Sequence, residues 1–466
     1  MVKQTEHVGA VREISSTQLE QKIAKHERTR QRRLSRYWSY FRNAEGDEQA
    51  QKSGLPRRLQ RLNEDGMEKE IVIENDIAWR VHAMVDFMLS RPVAIQSLAG
   101  ESEREDAIEK FLRHVLDQNG GLSFLQDMAL LGGIYGFADV MLRVDERNNI
   151  VLELVEPQHV VPILHDTDYR RLEGYVVHWR QRGAAAEKGT LKRFGRKLFG
   201  QDQDDGSVAH THVWTDNLVR EYRQVGQGGP RVLVREETNR LGCIPVIHMQ
   251  NMSQPFYYEG LSEVEPLIPL QDELNTRLSD RANRVTFQSF KMYLGRGIDD
   301  FIERPVGPGQ MWSTNNPDAS IEEFGGDGNT PSEEAHITEV REAMDKTSGV
   351  SPLVTGVIRD RIGNLTSENA LRIVMMGLIA KTEKKRVTYG GGLVSLCELI
   401  LHAADVYGIF ANKPSERRVR MDWAEPMPVG ETQQLKNAKL KRDLGVPEKQ
   451  ILAELGYGTT ELKSED

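Results

Sequence analysis

The chain has 466 residues, 38% of them hydrophobic and 28% charged, with a formal net charge of −9; that length calls for roughly two to four structural units, more polar than an average compact domain. Its two cysteines, Cys243 and Cys397, lie far apart with no CxxC, which excludes a disulfide framework and a cysteine-rich zinc site and suits a reducing compartment. Residues 1–10 lack an apolar signal core and no run reads as the roughly 18 apolar residues of a membrane span, so a soluble, unsecreted protein is expected.

Charge is unevenly placed. Residues 1–60 carry 13 Lys or Arg against 7 Asp or Glu, a balance of +6 that leaves 61–466 at −15. A body of that sign repels phosphate over a Debye length of about 8 Å, which disfavours tight static DNA binding but not loose passage of DNA. Within the helical stretch 16–40, Lys25, Arg28, Arg30, Arg32, Arg33 and Arg36 precede the aromatics Tyr37, Trp38, Tyr40 and Phe41. This pattern describes an arm with an anchor, and two uses stay open for it: nucleic-acid binding, or docking on an acidic neighbour.

After an aperiodic stretch at 44–70, Asn75 precedes Ile77, Val81, Met84, Val85 and Met88 at helical spacing, predicting a buried helix that ends before Pro92. An acidic helix over 101–116 and a core helix over 122–131 follow. Alternation then predicts an antiparallel pair at 135–144 and 150–155, and further strands at 174–179, 211–215 and 218–223, the last two joined by Asp216 and Asn217. The span 183–206 is rich in Gly, Lys and Asp without an apolar face and reads as a mobile insertion.

From Glu259, Leu267, Leu270, Leu274, Leu278, Ala282 and Val285 recur every three or four residues, the mark of one long amphipathic helix. Its other face carries Asp272, Glu273, Arg277, Asp280, Arg281 and Arg284, a mixed-sign pattern suited to packing beside copies of itself. Short strands at 290–294 and 309–312 are expected next, then a helix opened by Pro331, Glu333 and Glu334 and ending near Ser348. A loop over 351–365 leads to a helix capped by Thr366 or Ser367, which Gly390, Gly391 and Gly392 should weaken or kink. A strand at 418–423 and helices at 432–444 and 447–455 complete the pattern.

Catalytic motifs are missing. There is no GxxxxGK[ST], HExxH or GxSxG, and Asp202, Asp204 and Asp205 lack the other ligands of a calcium loop. His210 and His212 share a strand face but have no third ligand in register, so no metal or cofactor is expected. An acid and base pair assembled by the fold stays open.

The element order, an α/β body, a long helix, a small α/β insertion, a returning helix, a loop and a further helix, resembles the portal proteins of tailed phages, in the SPP-type family. Segments 75–95 (NDIAWRVHAMVDFMLSRPVAI), 135–139 (YGFAD) and 156–162 (EPQHVVP) look like parts of the portal wing. Segments 258–275 (YEGLSEVEPLIPLQDELN) and 348–372 (SGVSPLVTGVIRDRIGNLTSENALR) look like the start of the first stem helix and the tunnel-loop region. The resemblance covers about 20–456.

It implies an α+β fold: a basic arm (1–60), a wing (61–258, with the insertion 183–206), stem helix 1 (259–290), a small clip (291–330), stem helix 2 (331–350), a tunnel loop (351–366), a kinked wing helix (367–408) and a helical crown (409–466). It further implies a homo-oligomer of twelve at one capsid vertex of the virion, assembled in the host cytoplasm without a membrane, and a channel through which double-stranded DNA is packaged and ejected. The expected partners are the terminase large subunit, the major capsid and scaffolding proteins and a head-completion adaptor, and the chain itself is not expected to be an enzyme. In the tunnel loop, Arg359, Arg361 and Asn364 could reach phosphates, or the two arginines pair with acids of the adjacent subunit. In the clip, Trp312 and Phe324 are partner anchors or core residues. Two competing classes are a packaging nuclease or ATPase, which needs clustered acids or a P-loop, and a DNA-binding protein using the basic arm.

Overall fold

The computed structural model describes residues 14–42, 71–181, 207–226, 228–289, 292–296, 317–324, 331–352, 372–373, 375–424, 431–448, 451–452 and 455. The arm is one helical rod made of α1 (Ser16–Lys25), a π turn (His26–Arg30) and α2 (Gln31–Arg42). Ser15 caps it, its hydroxyl accepting from the Gln18 amide at 3.2 Å. Leu19 and Ile23 of α1 lie four residues apart, and Leu34, Tyr40 and Phe41 of α2 lie three or four residues from Tyr37; all are buried, so each helix of the rod lies on the body along one stripe. At the π turn His26 Nε2 meets the Gln158 carbonyl at 2.7 Å and Glu27 meets His178 at 3.3 Å. Burial lowers the His26 pKa to about 4, which keeps its ring neutral at pH 7.

The core of the body begins with α3 (Asp76–Met88). Asn75 is both its cap, accepting from the Ala78 amide at 3.1 Å, and a clasp on the arm, donating to the Phe41 carbonyl at 2.8 Å. After β1 (Ala94–Ser97) come α4 (Ser102–Gln118) and α5 (Gly121–Tyr135). The pair β2 (Phe137–Val144) and β3 (Ile150–Val155) turns at Asp145, whose carboxylate accepts from the Arg147 and Asn149 amides. An antiparallel meander follows, β4 (Val160–Leu164), β5 (Leu172–Gln181), β6 (Val208–Trp214), β7 (Leu218–Val225) and β8 (Arg231–Thr238), paired in sequence order. Then β9 (Val246–Gln250) returns to the free side of β2, giving a three-stranded sheet in the order β3-β2-β9.

The second half holds α6 (Ile268–Ser289), a small antiparallel pair β10 (Met292–Arg296) and β11 (Ser320–Phe324), and α7 (Pro331–Ser348). It closes with α8 (Met376–Val406), β12 (Val419–Asp422) and α9 (Glu431–Asp443). β12 pairs with β1, Ile95 opposite Met421, tying the segment after α8 back to the first strand. One core packs Leu396, Ile400 and Leu401 of α8 against Ile108, Leu112, Val140 and Leu142, each such side chain contributing roughly 1.5–3 kcal/mol on burial. A second core joins the arm, α3 and the base of the α6–α7 pair through Leu34, Ile77, Leu274, Val340 and Met344. The fold is α+β, as the sequence implies.

The long helix expected from Glu259 starts at Ile268 instead, behind one 3-10 turn at Glu265–Leu267. Pro266 and Pro269 lack the amides an interior turn needs and sit comfortably only at a helix start. Its polar face is also largely used inside the chain: Arg277 bonds Glu273 at 2.7 Å, Tyr40 donates to Asp272 at 2.6 Å, and Arg284 reaches Glu333 of α7 at 3.3 Å. Packing beside copies therefore has fewer of these charges at its disposal than the pattern suggests.

Neither does α8 break at its glycines, running unbroken for 31 residues. A Cβ on Gly392 would lie 2.2 Å from Met249 Cγ and one on Gly390 3.3 Å from Trp423 Nε1, so these glycines admit close neighbours. The same helix is long and apolar enough to cross a membrane, contrary to the expectation that no segment is; Leu396, Ile400, Leu401 and Ala404 are buried in the first of the two cores. Strands β1, β4, β8 and β9 add to those expected. The strand that pairs with β10 lies at 320–324; the expected strand at 309–312, the insertion 183–206 and the helix start at 366–367 fall outside the described residues.

Candidate functional site

Segments 258–275, 135–139 and 156–162, separate in sequence, meet where the α6–α7 pair is rooted in the sheet-and-helix body. Gly136 has a φ of +89°, and a Cβ there would lie 2.3 Å from the Gly260 carbonyl oxygen, so two backbones touch where only glycine fits. Around this crossing the Glu263 amide donates to the Gly133 carbonyl at 2.8 Å and the Ser262 hydroxyl to the Ile134 carbonyl at 2.6 Å. Gln158 donates to the Tyr135 hydroxyl at 2.8 Å and accepts from Ser35 at 2.6 Å, which brings the arm into the same joint.

Two buried charged clusters flank the crossing. In the first, Asp139 accepts from the hydroxyls of Tyr175 and Tyr258, both at 2.9 Å, and from His248 Nδ1 at 2.6 Å. Burial raises both phenols well above their ordinary range, so they stay protonated donors. Glu259, the next residue, takes Arg30 and Arg33 of the arm, and Arg30 also lies over the Phe137 ring at 5.0 Å. This fulfils the docking use of the basic arm, the acidic neighbour being a residue of the same chain.

In the second, Glu263 pairs with Lys381 and with Lys385, the latter at 2.9 Å. Lys385 is 1% exposed and Glu263 6%. Burial alone would raise the Glu263 pKa; Lys385 and Lys381 outweigh it and hold the carboxyl at about 2. Burial lowers the Lys385 pKa against the pull of Glu263. Lys381 also donates to the Ser348 carbonyl at 2.7 Å. Beside it Arg80, 2% exposed, pairs with Asp345 at 2.7 Å and Asp76 at 3.3 Å and donates to the Val350 carbonyl at 2.9 Å. The end of α7, the start of α8 and the root of α6 are thereby joined through charges of which Arg80, Glu263 and Lys385 are buried.

Arg359, Arg361 and Asn364, expected in a tunnel loop, and Trp312, expected in a clip, lie outside the described residues. Phe324 closes β11, its backbone opposite Met292. His210 and His212 sit on one strand against Trp179, with ring centroids 5.2 and 4.9 Å away, and among the described residues no three metal-ligating side chains converge. Sequence reasoning did not single out Asp139, His248, Glu263 or Lys385. Lys385 stands in the charged run Lys381 to Arg386, and the YGFAD, EPQHVVP and YEGLSEVEP segments pointed to this joint.

Two sheets and a helical core, with a helix pair rooted in them and a small strand pair following α6, make an α+β protein. The family described as "Phage portal protein, SPP1 Gp6-like" matches residues 22–461, and the chain belongs to it. No curated protein matches the chain. Among solved structures, a chain from the virion of a native gene transfer agent particle is similar over 83% of this chain and 86% of its own, at 11% identity and a TM-score of 0.43. A chain from the neck of an empty gene transfer agent particle, computed with C6 symmetry, is similar over 87% and 91%, at 12% identity and a TM-score of 0.45.

Proposed function

We propose that twelve copies of this chain form a ring at one capsid vertex and line the channel through which double-stranded DNA is packaged and ejected. The family match over 22–461 carries this reading. In it, α6 and α7 form the stem, residues 291–330 the clip that meets the terminase large subunit and later the head-completion adaptor, 351–366 the tunnel loop and 409–466 the crown. The wing meets the major capsid and scaffolding proteins, and the ring assembles in the host cytoplasm before it becomes part of the virion. The chain is a conduit and not an enzyme, hydrolysis being the work of the terminase.

Electrostatics supports a conduit. Twelve copies at −9 carry roughly −108 per ring, a field that discourages DNA from adhering to the wall. On α7, Glu334, Glu339 and Glu342 are exposed, which adds the same sign on the stem. Against that background Arg359, Arg361 and Asn364 of the tunnel loop supply a few phosphate contacts that position the duplex without reading its bases. The Arg359→Ala, Arg361→Ala, Asn364→Ala triple variant is expected to assemble and enter heads normally while DNA packaged per head falls several-fold in a packaging extract. Unchanged packaging would show that the loop does not handle DNA through these side chains.

A further inference from the structure

The arm meets the body along one side only. Leu19, Ile23, Leu34 and Tyr37 are buried, Glu259 takes Arg30 and Arg33, and Glu27 turns to His178 at 3.3 Å. What is left outside has one character. From residue 21 to 42 nine positions are exposed, seven of them Lys or Arg, and none is acidic or apolar. Glu20, just ahead of this stretch, acts on Arg231.

Lys22, Lys25, Arg28, Arg32 and Arg36 follow one another every three or four residues, so they stand in a row on the outward face. From Lys22 to Arg36 the row runs for about 21 Å at the helical rise of roughly 1.5 Å per residue. Arg36 lies over the Tyr40 ring at 5.5 Å, while Lys22, Lys25, Arg28 and Arg32 have no ion-pair partner among the described residues. The rod beneath them is fixed by its buried side chains and by Asn75, which donates to the Phe41 carbonyl at 2.8 Å. The charges are therefore set in place in advance, which lowers the entropic cost of using them.

We infer that this row binds the phosphate backbone of double-stranded DNA. The inference stands apart from the ring reading, since a single chain carries the whole row, and it adds a place where DNA is held by a protein whose net charge otherwise discourages adhesion. Charge complementarity selects a polyanion, and the make-up of the face selects among polyanions. A protein partner needs an apolar centre with aromatic or aliphatic anchors, and this face offers none. Phosphates ask only for cations at intervals. Duplex DNA presents one negative charge per roughly 1.7 Å of its axis, about twelve along the row. The acidity of residues 61–466 is screened beyond about 8 Å at physiological salt, which leaves the local sign to decide. Binding of this kind reads no bases and weakens steeply with salt.

The test is the fluorescence anisotropy of a labelled duplex of about 30 base pairs, of arbitrary sequence, titrated with the full chain at roughly 50 to 200 mM salt. The Lys25→Gln, Arg28→Gln, Arg32→Gln variant removes three exposed cations that have no ion-pair partner among the described residues, so it is expected to keep the parent's circular dichroism. At about 0.9 per phosphate contact, the slope of log affinity against log salt should flatten by about 2–3, and affinity at the low-salt end should fall at least ~tenfold. The Lys436→Gln, Lys439→Gln, Arg442→Gln variant removes the same charge from another exposed helix, α9, and should leave both readings close to the parent's. A parent that does not bind the duplex at the lowest salt, or arm and α9 variants that lose affinity equally, would overturn the inference. So would an arm variant that fails to assemble by native mass spectrometry while its DNA slope stays unchanged, which would give the row to an acidic protein surface. The ring itself is decided by the parent's mass, so the two readings fail separately.

Discussion

Glu263→Ala is expected to lower folding stability by about 3–5 kcal/mol, the range for removing one partner of a buried ion pair. It strands Lys385, 1% exposed, without a counter-charge and withdraws a partner of Lys381. Replacing Glu263 and Lys385 together by methionine should recover much of the loss, because the uncompensated charge then disappears with its desolvation penalty. The same pair sets an acid limit. The Glu263 carboxyl titrates near 2 in the fold against 4.5 in the unfolded chain, so its contribution is complete above about pH 4.5 and is lost as pH falls towards 2. Urea midpoints at pH 7 and pH 3 for the parent and the two variants check both statements. A parent midpoint that falls no further between these pH values than that of Glu263→Ala would refute the second.

Gly136→Ala should be comparably damaging for a different reason. The new Cβ would lie 2.3 Å from a backbone oxygen of Gly260 at a φ of +89°, so no side-chain rotation relieves it, and strain of about 1–2 kcal/mol from the backbone conformation alone is added to the displacement of the crossing. A loss of at least ~3 kcal/mol is expected. Gly391→Ala is the control: a Cβ there meets nothing within 4 Å, the residue lies in the interior of α8, and alanine should stabilise by about 1 kcal/mol. Thermal melts of the two variants should shift in opposite directions, and shifts of the same sign would mean that the crossing is not rigid.

The contrast between these glycines also marks what a sequence can disclose. Periodicity locates α3 and α5 because their buried stripes follow helical geometry directly, and α7 is marked by the proline and acids at its start, its buried stripe of Ile337, Val340 and Met344 appearing only in the fold. The glycines at 390–392 follow local propensity in isolation, yet the helix persists because Met249 and Trp423, far away in sequence, occupy the space beside them. β1 and β12 are four residues each and meet only through the completed fold, and β8 shows no alternation of burial because both its faces are exposed. The polar joint was the least legible part. Whether Lys385 or Asp139 is solvated or sealed depends on elements that arrive from elsewhere in the chain, and nothing in the run around either residue records it. The segment resemblances marked the right places without assigning their roles, and the roles of Arg359, Arg361, Asn364 and Trp312 rest on the resemblance alone.

The most direct test of the portal reading is the mass of the purified full chain by native mass spectrometry, with negative-stain class averages of the same sample. A ring near twelve subunits with a central hole is the expected result, and a stable monomer or dimer with nuclease or ATPase activity would contradict it.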